Sequence, residues 1–166
     1  MSERYLPSSD FLNYVIADEI TFDDTILGQA NLAQLLRLVT DDDRANRDWA
    51  AFLIAGLPFD SPDIRAALLI AANDRDVDTR DEAIVGLARR DHNAALELLQ
   101  PLLNEEAGEV LLEAATILGD RSLIPALKAM EQWEGGDDNI REQLRVAIAA
   151  CEAGQGIDHA ASDLVR

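Results

Sequence analysis

The sequence predicts an all-α protein, an α-solenoid of about four two-helix repeats behind an N-terminal capping helix. Its apolar residues follow the i, i+3, i+4, i+7 spacing of one helix face, as in Leu32, Leu35, Leu36 and Val39. The sequence lacks the alternating apolar and polar runs, joined by hairpin turns, that are typical of strands. Leucine and alanine predominate among the apolar residues, and both favour helices.

The second helix of each predicted pair is the clearest repeat. Its four copies begin at Asn46, Thr79, Val110 and Ile140, so successive copies start 33, 31 and 30 residues apart. Small or apolar residues recur at the fifth, eighth and ninth positions of each copy. A two-helix unit of about 30 residues cannot bury its apolar face alone, so this repeat predicts stacked hairpins.

The first helix of each pair has a recognisable start or end. Residues 28–40 form the first of these helices and lead into an aspartate-rich turn. Ser61 opens the next one, and Pro62 follows at the helical position where proline is favoured. Asp91 and Asp120 open the remaining two, because an aspartate side chain accepts hydrogen bonds from the free N–H groups of a helix start.

The two ends of the chain are predicted to close the array of repeats. Residues 1–26 form the N-terminal cap, in which a Ser-Ser-Asp helix start precedes an apolar stripe of Phe11, Leu12, Val15 and Ile16. The repeats occupy 27–151, and a short tail, 152–166, follows a glycine-rich break. The length suits a single domain over 1–166.

Aspartate and arginine recur together at the start of the second helices. Three copies carry an aspartate four residues before an arginine, and the third copy loses both, as Ala107 and Leu111. The pairs are Asp43 with Arg47, Asp76 with Arg80, and Asp137 with Arg141. Acid four residues before base is a favourable pair on a helix, and the acid also caps free N–H groups. We therefore predict helix capping combined with a ladder of ion pairs from repeat to repeat.

The charge balance excludes several classes of partner. The chain has 32 acidic and 14 basic residues, so its formal net charge is −18. Such a chain repels phosphate backbones and anionic lipid, so we expect neither a nucleic acid nor a membrane as partner. The N-terminus has no basic region followed by an apolar run, and the one cysteine, Cys151, excludes an internal disulfide. These features predict a cytoplasmic protein.

We predict no catalytic, cofactor-binding or metal-binding residues. The histidines, His92 and His159, fall in a turn and in the tail, away from Cys151, so a nucleophile with an adjacent base is not expected. The run 74–78 has the spacing of the first ligands of a calcium loop. It lacks the glycine and the glutamate that such a loop needs at its sixth and twelfth positions, so helix capping is the better interpretation.

These residues resemble the short HEAT-like repeats found in phycobilin lyases and in many bacterial interaction proteins. The best match is Asp-Arg-Ser-Leu-Ile-Pro-Ala-Leu at residues 120–127, followed by residues 137–141. The resemblance covers roughly 27–151, and it departs from the usual pattern at Leu111, Trp49 and Phe52. It implies an α-solenoid whose second helices line the concave side. The family includes chaperone-like lyases, adaptors, scaffolds and one class of DNA-base repair enzymes, the last disfavoured here by charge.

The third, fourth and seventh places of the second-helix copies are not needed for packing, so we predict that they form a partner-binding surface. This surface is acidic with interleaved apolar residues, and it comprises Asp48, Trp49, Phe52, Asp81, Glu82, Val85, Leu112, Glu113, Thr116, Glu142, Gln143 and Val146. Aromatic anchors inside a charged rim suit protein binding. Two interpretations of Trp49 and Phe52 stay open: they are exposed anchors, or they pack under the N-terminal cap.

The sequence thus predicts a non-enzymatic interaction module that binds a basic protein through an acidic concave face. An inhibitor-like or immunity-like protein that masks a basic toxin or nuclease is one specific version. The alternative, which the resemblance alone implies, is a phycobilin-lyase-like component that acts on a chromophore-bearing protein.

Overall fold

The computed structural model describes residues 5–105, 108–132 and 137–157, and the regular structure of these residues is entirely helical. The helices are α1 (Asp10–Ile16), α2 (Ile26–Arg37), α3 (Arg44–Ala55), α4 (Pro62–Ala71), α5 (Val77–Ala88), α6 (His92–Leu102), α7 (Glu109–Leu118), α8 (Ile124–Met130) and α9 (Asp138–Ala153). Short 3-10 turns at Leu38–Thr40 and Arg121–Leu123 follow α2 and precede α8. The predicted all-α fold class is confirmed. The predicted tail beyond residue 157, with His159, lies outside the described residues, as does Ala107.

The chain divides into two compact units, Met1–Gly86 and Leu87–Arg166. In the N-terminal unit, α1 precedes the hairpin of α2 and α3, and α4 and α5 follow. In the C-terminal unit, α6 pairs with α7, and α8 pairs with α9. The grouping of all repeats into one domain stays a prediction.

Several helices begin at the side-chain caps that their sequences predict, whereas α7 and α8 begin without one, and Asp120 caps the 3-10 turn before α8. The Ser61 hydroxyl accepts a hydrogen bond from the Ile64 N–H at 3.2 Å, and Pro62 follows at the first helical position. Asp43, Asp91 and Asp137 accept from backbone N–H groups at the starts of α3, α6 and α9. These caps satisfy donors that no carbonyl oxygen of the same helix reaches.

Apolar side chains from every helix of the N-terminal unit form its core. Leu12 of α1 is fully buried, and the Ser9 N–H donates to the Asn46 amide oxygen at 3.0 Å, so the predicted capping helix is attached to α3. At Gly86 of α5, the Cβ of any other residue would lie 2.7 Å from the Leu68 side chain and 3.0 Å from the Ala55 Cβ. This glycine lets α5 pack closely against α3 and α4.

The core of the C-terminal unit is also apolar, and it includes Cys151, whose pKa burial raises to about 11. The last helix ends at Gly154, whose φ of 64° lies in the left-handed region that favours glycine. The chain then passes over the end of α7 at Gly156. If another residue replaced this glycine, its Cβ would lie 1.8 Å from the Ile117 carbonyl oxygen. The Ile157 N–H donates to the Thr116 carbonyl oxygen at 3.0 Å, which holds Ile157 beside α7.

The predicted pairing of aspartate with arginine four residues later is wrong, although Arg44 and Arg47 do pair with aspartates of the next repeat. Asp43 caps Ala45, while the Arg47 guanidinium pairs with Asp74 at 2.7 Å and donates to the carbonyl oxygens of Asp41 and Asp42. Because Asp43 is engaged in its own cap, Arg47 reaches past it to the turn of the next repeat.

The other arginines at these helix starts pair either within or between repeats, and Arg80 pairs with its neighbour Asp81 at 2.8 Å. Arg44 pairs with Asp76 and with Asp78, both of the next repeat. Arg141 of the fourth copy pairs with Asp138 rather than with its helix cap.

Within the described ranges, no helix combines the length and the apolar composition that crossing a membrane requires.

Candidate functional site

In the N-terminal unit, two second helices lie side by side. Arg44 at the start of α3 contacts Asp76 before α5 at 2.5 Å, and Ala55 near the end of α3 lies against Gly86. The predicted site residues on these two helices therefore lie along neighbouring elements. We call this set the α3–α5 face, and it comprises Asp48, Trp49, Phe52, Asp81 and Glu82.

The aromatic side chains of the α3–α5 face are open to solvent to different extents. Trp49 and Phe52 meet edge to face, with ring centroids 5.8 Å apart and planes at 85°. Phe52 is 50% exposed, so the N-terminal cap does not cover it. Trp49 is partly buried, and its indole Nε1 is enclosed without a hydrogen-bond partner among the described residues. Phe52 is therefore exposed, as the first interpretation requires, while Trp49 is partly buried and packs edge to face against it; the role of either as a binding anchor stays a prediction.

The carboxylates of this face are partly desolvated. Burial raises the pKa of Asp48, and the Asp78 and Asp76 carboxylates raise it further, while a hydrogen bond from the Tyr5 hydroxyl opposes them. Burial also raises the pKa of Asp81, against the stabilising hydrogen bond from Arg80 at 2.8 Å. A positive group of a ligand would relieve the repulsion among these like charges.

The predicted surface is corrected at two positions, because Val85 and Leu112 are buried. Gly86 draws α5 against its neighbours in the N-terminal unit, and Val85 is enclosed beside it. In the C-terminal unit, α7 packs against both α6 and α9, which leaves a narrow exposed strip that excludes Leu112. Thr116 is also buried, but it stays at the edge of this strip, and its hydroxyl donates to the Leu112 carbonyl oxygen at 2.9 Å.

In the C-terminal unit, the exposed strips of α7 and α9 form the walls of a groove of about 420 Å³. The sequence predicts five of its lining residues, and the structure brings them together: Glu113, Thr116, Glu142, Gln143 and Val146. Four further lining residues were missed, namely Glu109, Val110, Ile117 and Ile157. We call this pocket the α7–α9 groove.

Sequence reasoning could have found some of the missed residues. Glu109 and Val110 lie four and three residues before Glu113, so helical spacing places them on the same side of α7. Ile157 carries no such signal, because its position depends on the reversal of the chain after α9.

Three carboxylates form the rim of the α7–α9 groove. Glu109 accepts from the Asn139 amide at 2.6 Å, Glu113 pairs with Arg89 at 2.8 Å, and Glu142 pairs with Arg145. The floor between them is apolar and is formed by valine and isoleucine side chains of α7, α9 and the segment after α9. This arrangement can hold a cationic group next to an apolar one. In the part of the chain that the structure describes, no group of three or more His, Cys, Asp or Glu side chains is arranged to hold a metal ion.

The paired helices of the two units define a helical-repeat protein of the α-solenoid class. A profile of the HEAT repeats family matches residues 30–119, more than half of the sequence, and the chain therefore belongs to the HEAT-repeat family. Members of this family are generally scaffolds for protein interactions rather than enzymes. The predicted resemblance to HEAT-like repeats is confirmed.

The similar proteins share the name YibA. Over 103 residues the chain is 34% identical to Protein YibA of Escherichia coli strain K12, and equally to that of Escherichia coli O157:H7. These alignments cover 61% of this chain and 37% of each relative, so the chain spans well under half the length of these curated relatives. An X-ray structure of Escherichia coli YibA matches 86% of this chain and 54% of the YibA chain, with a TM-score of 0.63 and 28% identity.

Proposed function

We propose that this protein is a non-enzymatic interaction module that binds a basic partner protein through its acidic second-helix surfaces. The observation that carries the proposal is made in each unit separately. Carboxylates lie beside uncovered apolar side chains on the α3–α5 face, and they do so again in the α7–α9 groove. Membership of a family of interaction scaffolds supports the same conclusion.

The physical argument combines attraction over distance with anchoring at contact. A net charge of −18 accelerates the encounter with a basic protein and opposes the approach of nucleic acid or anionic membrane. Apolar side chains then supply most of the contact energy, because aromatic and aliphatic anchors within a polar rim dominate protein interfaces. Phe52 provides such an anchor on the α3–α5 face. A cytoplasmic location and an inhibitor-like or immunity-like role against a basic toxin or nuclease complete the proposal.

The test is a binding titration of the purified chain against a panel of proteins of high and low isoelectric point. We expect saturable binding of a basic protein that weakens as salt is added. The double variant Glu82→Lys, Glu113→Lys should weaken that binding by at least about tenfold. The matched control, Glu19→Lys with Glu131→Lys, reverses two exposed carboxylates elsewhere, one in each unit, and should cost much less.

Circular dichroism of both variants checks that helicity is unchanged. Equal binding by the two double variants would show that these surfaces are not involved. If the wild type binds no basic protein, the proposal itself fails. The lyase alternative has its own measurement, since a lyase-like protein mixed with a tetrapyrrole should acquire a bound visible absorbance band.

A further inference from the structure

We infer that the α7–α9 groove binds a segment of the partner in which an apolar side chain stands next to an arginine or a lysine. This inference rests on the proposed function and deepens it, because it assigns a recognition chemistry to one defined pocket.

The floor of the groove is apolar and uncovered. Val110, Ile117 and Val146 are partly exposed, and Ile157 is 41% exposed. The volume of about 420 Å³ falls in the range of pockets that enclose ligand groups. Aliphatic side chains that meet in a concavity release water when another aliphatic group covers them, so the floor selects an apolar side chain.

The rim adds a requirement for positive charge. Each of Glu109, Glu113 and Glu142 uses one carboxylate oxygen in its contact with Asn139, Arg89 or Arg145, and its second oxygen has no partner among the described residues. Among the residues that the structure describes, no arginine, lysine or histidine lines the groove itself, although Arg89 and Arg145 pair with two of its rim carboxylates from outside. A guanidinium or ammonium group from a ligand can therefore reach free carboxylate oxygens beside the floor, where charge-assisted hydrogen bonds are strong.

A peptide fits the remaining polar group of the groove better than a free cation does. The Gln143 amide is partly buried in the groove wall and makes no hydrogen bond within the described part of the chain. It offers both a donor and an acceptor, which are the two groups that a peptide bond requires. The Thr116 hydroxyl already donates to Leu112, so it can only accept.

The groove is also preformed, which reduces the entropy lost on binding. The absence of a Cβ at Gly156 allows the segment after α9 to approach the Ile117 carbonyl, and the hydrogen bond from the Ile157 N–H to the Thr116 carbonyl oxygen holds Ile157 beside α7. Asn139 and Glu109 join the starts of α9 and α7. Both ends of the groove are therefore tied.

The experiment uses the full chain and three fluorescein-labelled synthetic peptides in fluorescence polarisation. The first peptide alternates leucine and arginine, the second replaces arginine by neutral citrulline, and the third replaces leucine by serine. We expect the leucine–arginine peptide to bind saturably and each of the other two to bind at least about tenfold more weakly. A peptide that needs only its charge, or only its apolar groups, would contradict the inference.

Variants locate the binding. Glu113→Gln with Glu142→Gln should weaken binding of the leucine–arginine peptide by about tenfold, and Val146→Asn should weaken it through the floor. The control Glu97→Gln with Glu131→Gln makes the same change in net charge at exposed positions outside the groove, and binding should stay within about twofold. Methyl resonances of Val146 and Ile157 should shift on titration of the wild type, which reports groove occupancy without any substitution.

The outcomes separate this inference from the proposed function. A wild type that binds basic proteins but shows no peptide binding, or no shift of the groove methyl groups, overturns the groove assignment and leaves the proposed function standing. Displacement of the peptide by free spermidine at equal affinity, insensitive to Val146→Asn, assigns the rim to small polyamines and also overturns it. If no basic protein binds at all, both fail together.

Discussion

Arg47 in α3 and Leu111 in α7 occupy the same position of the repeat, at the second place of their second-helix copies. Arg47 is 9% exposed and joins its repeat to the next through the Asp74 carboxylate and two backbone carbonyl oxygens. Leu111 is fully buried among apolar side chains. In these two copies the position is buried, and either a satisfied cation or a hydrocarbon can fill it, whereas Arg141 at the same place of the fourth copy is exposed.

The candidate binding surfaces of the two units also differ in their side chains. The α3–α5 face presents an exposed aromatic side chain beside desolvated aspartates, while the α7–α9 groove presents an aliphatic floor below glutamates. One repeat pattern therefore presents two different candidate surfaces, because partly or fully exposed positions at the third, fourth and seventh places carry aromatic and aspartate side chains in one unit and glutamate and aliphatic side chains in the other.

The largest expected effect is at Leu111. Truncation by Leu111→Ala leaves a cavity in the core of the C-terminal unit and should lower the free energy of unfolding by about 3 kcal/mol. Urea unfolding followed by circular dichroism measures the change. Leu69→Ala, at a partly exposed position of α4, is the control and should cost under about 1 kcal/mol. A loss at Leu111 no larger than at Leu69 would contradict the apolar account of this position.

The next effect is at Arg47. Arg47→Met removes the partner of Asp74 and of two carbonyl oxygens, and we expect a loss of about 2 kcal/mol. Arg141→Met, which breaks only an exposed pair with Asp138, should cost under about 0.5 kcal/mol. Adding Asp74→Leu to Arg47→Met should recover part of the loss, since the unpaired carboxylate is then removed. Without such recovery, the ionic account of the N-terminal unit is wrong.

The ion pair between Arg47 and Asp74 should make the free energy of unfolding depend on pH in the acidic range. Burial acts to raise the pKa of Asp74, but the hydrogen bonds from Arg47 and from the Asp76 N–H outweigh it, so the pKa lies below its ordinary value of 3.8. Its contribution is therefore present above pH 3.8 and is lost as pH falls through the lower, folded-state pKa. Carbon-detected titration of Asp74 should show this midpoint move upward in Arg47→Met, and an unmoved midpoint would contradict the assignment.

The smallest effect is at Asp48, where the folded-state pKa is raised. The ionised carboxylate destabilises the folded protein above that pKa, and the penalty disappears as pH falls below the unfolded value of 3.8. Asp48→Asn should therefore raise Tm by about 1–3 °C at pH 7 and by nothing at pH 3. Asp24→Asn, at an exposed position, is the control. An equal shift at both pH values would point to a cause other than charge.

Several helix starts were predictable because the hydrogen bonds that set them are local. The caps at Ser61, Asp91 and Asp137 each involve a backbone group within three residues. Arginine pairing was predicted wrongly because the partner of Arg47 lies 27 residues away, and the nearer aspartate was already engaged in capping. The local sequence does not show whether the Asp43 carboxylate caps its helix or pairs with Arg47.

The candidate site was predictable in part for the same reason. Repeat register placed Glu113, Glu142 and Val146 together, because equivalent positions of neighbouring repeats lie side by side. Register does not measure how closely neighbouring helices approach, so it assigned Val85 and Leu112 to the surface although both are buried.

The sequence alone determines the helical content, the spacing of the repeats, several helix caps and the net charge. These features depend on composition and on contacts within one or two helical turns. Three features depend on the tertiary structure instead. They are the exposure of Phe52, the pairing of Arg47 with Asp74, and the position of Ile157 in the α7–α9 groove. Each depends on segments far apart in the chain that meet only when helices pack, and the distance of closest approach then decides which side chains remain open to a partner.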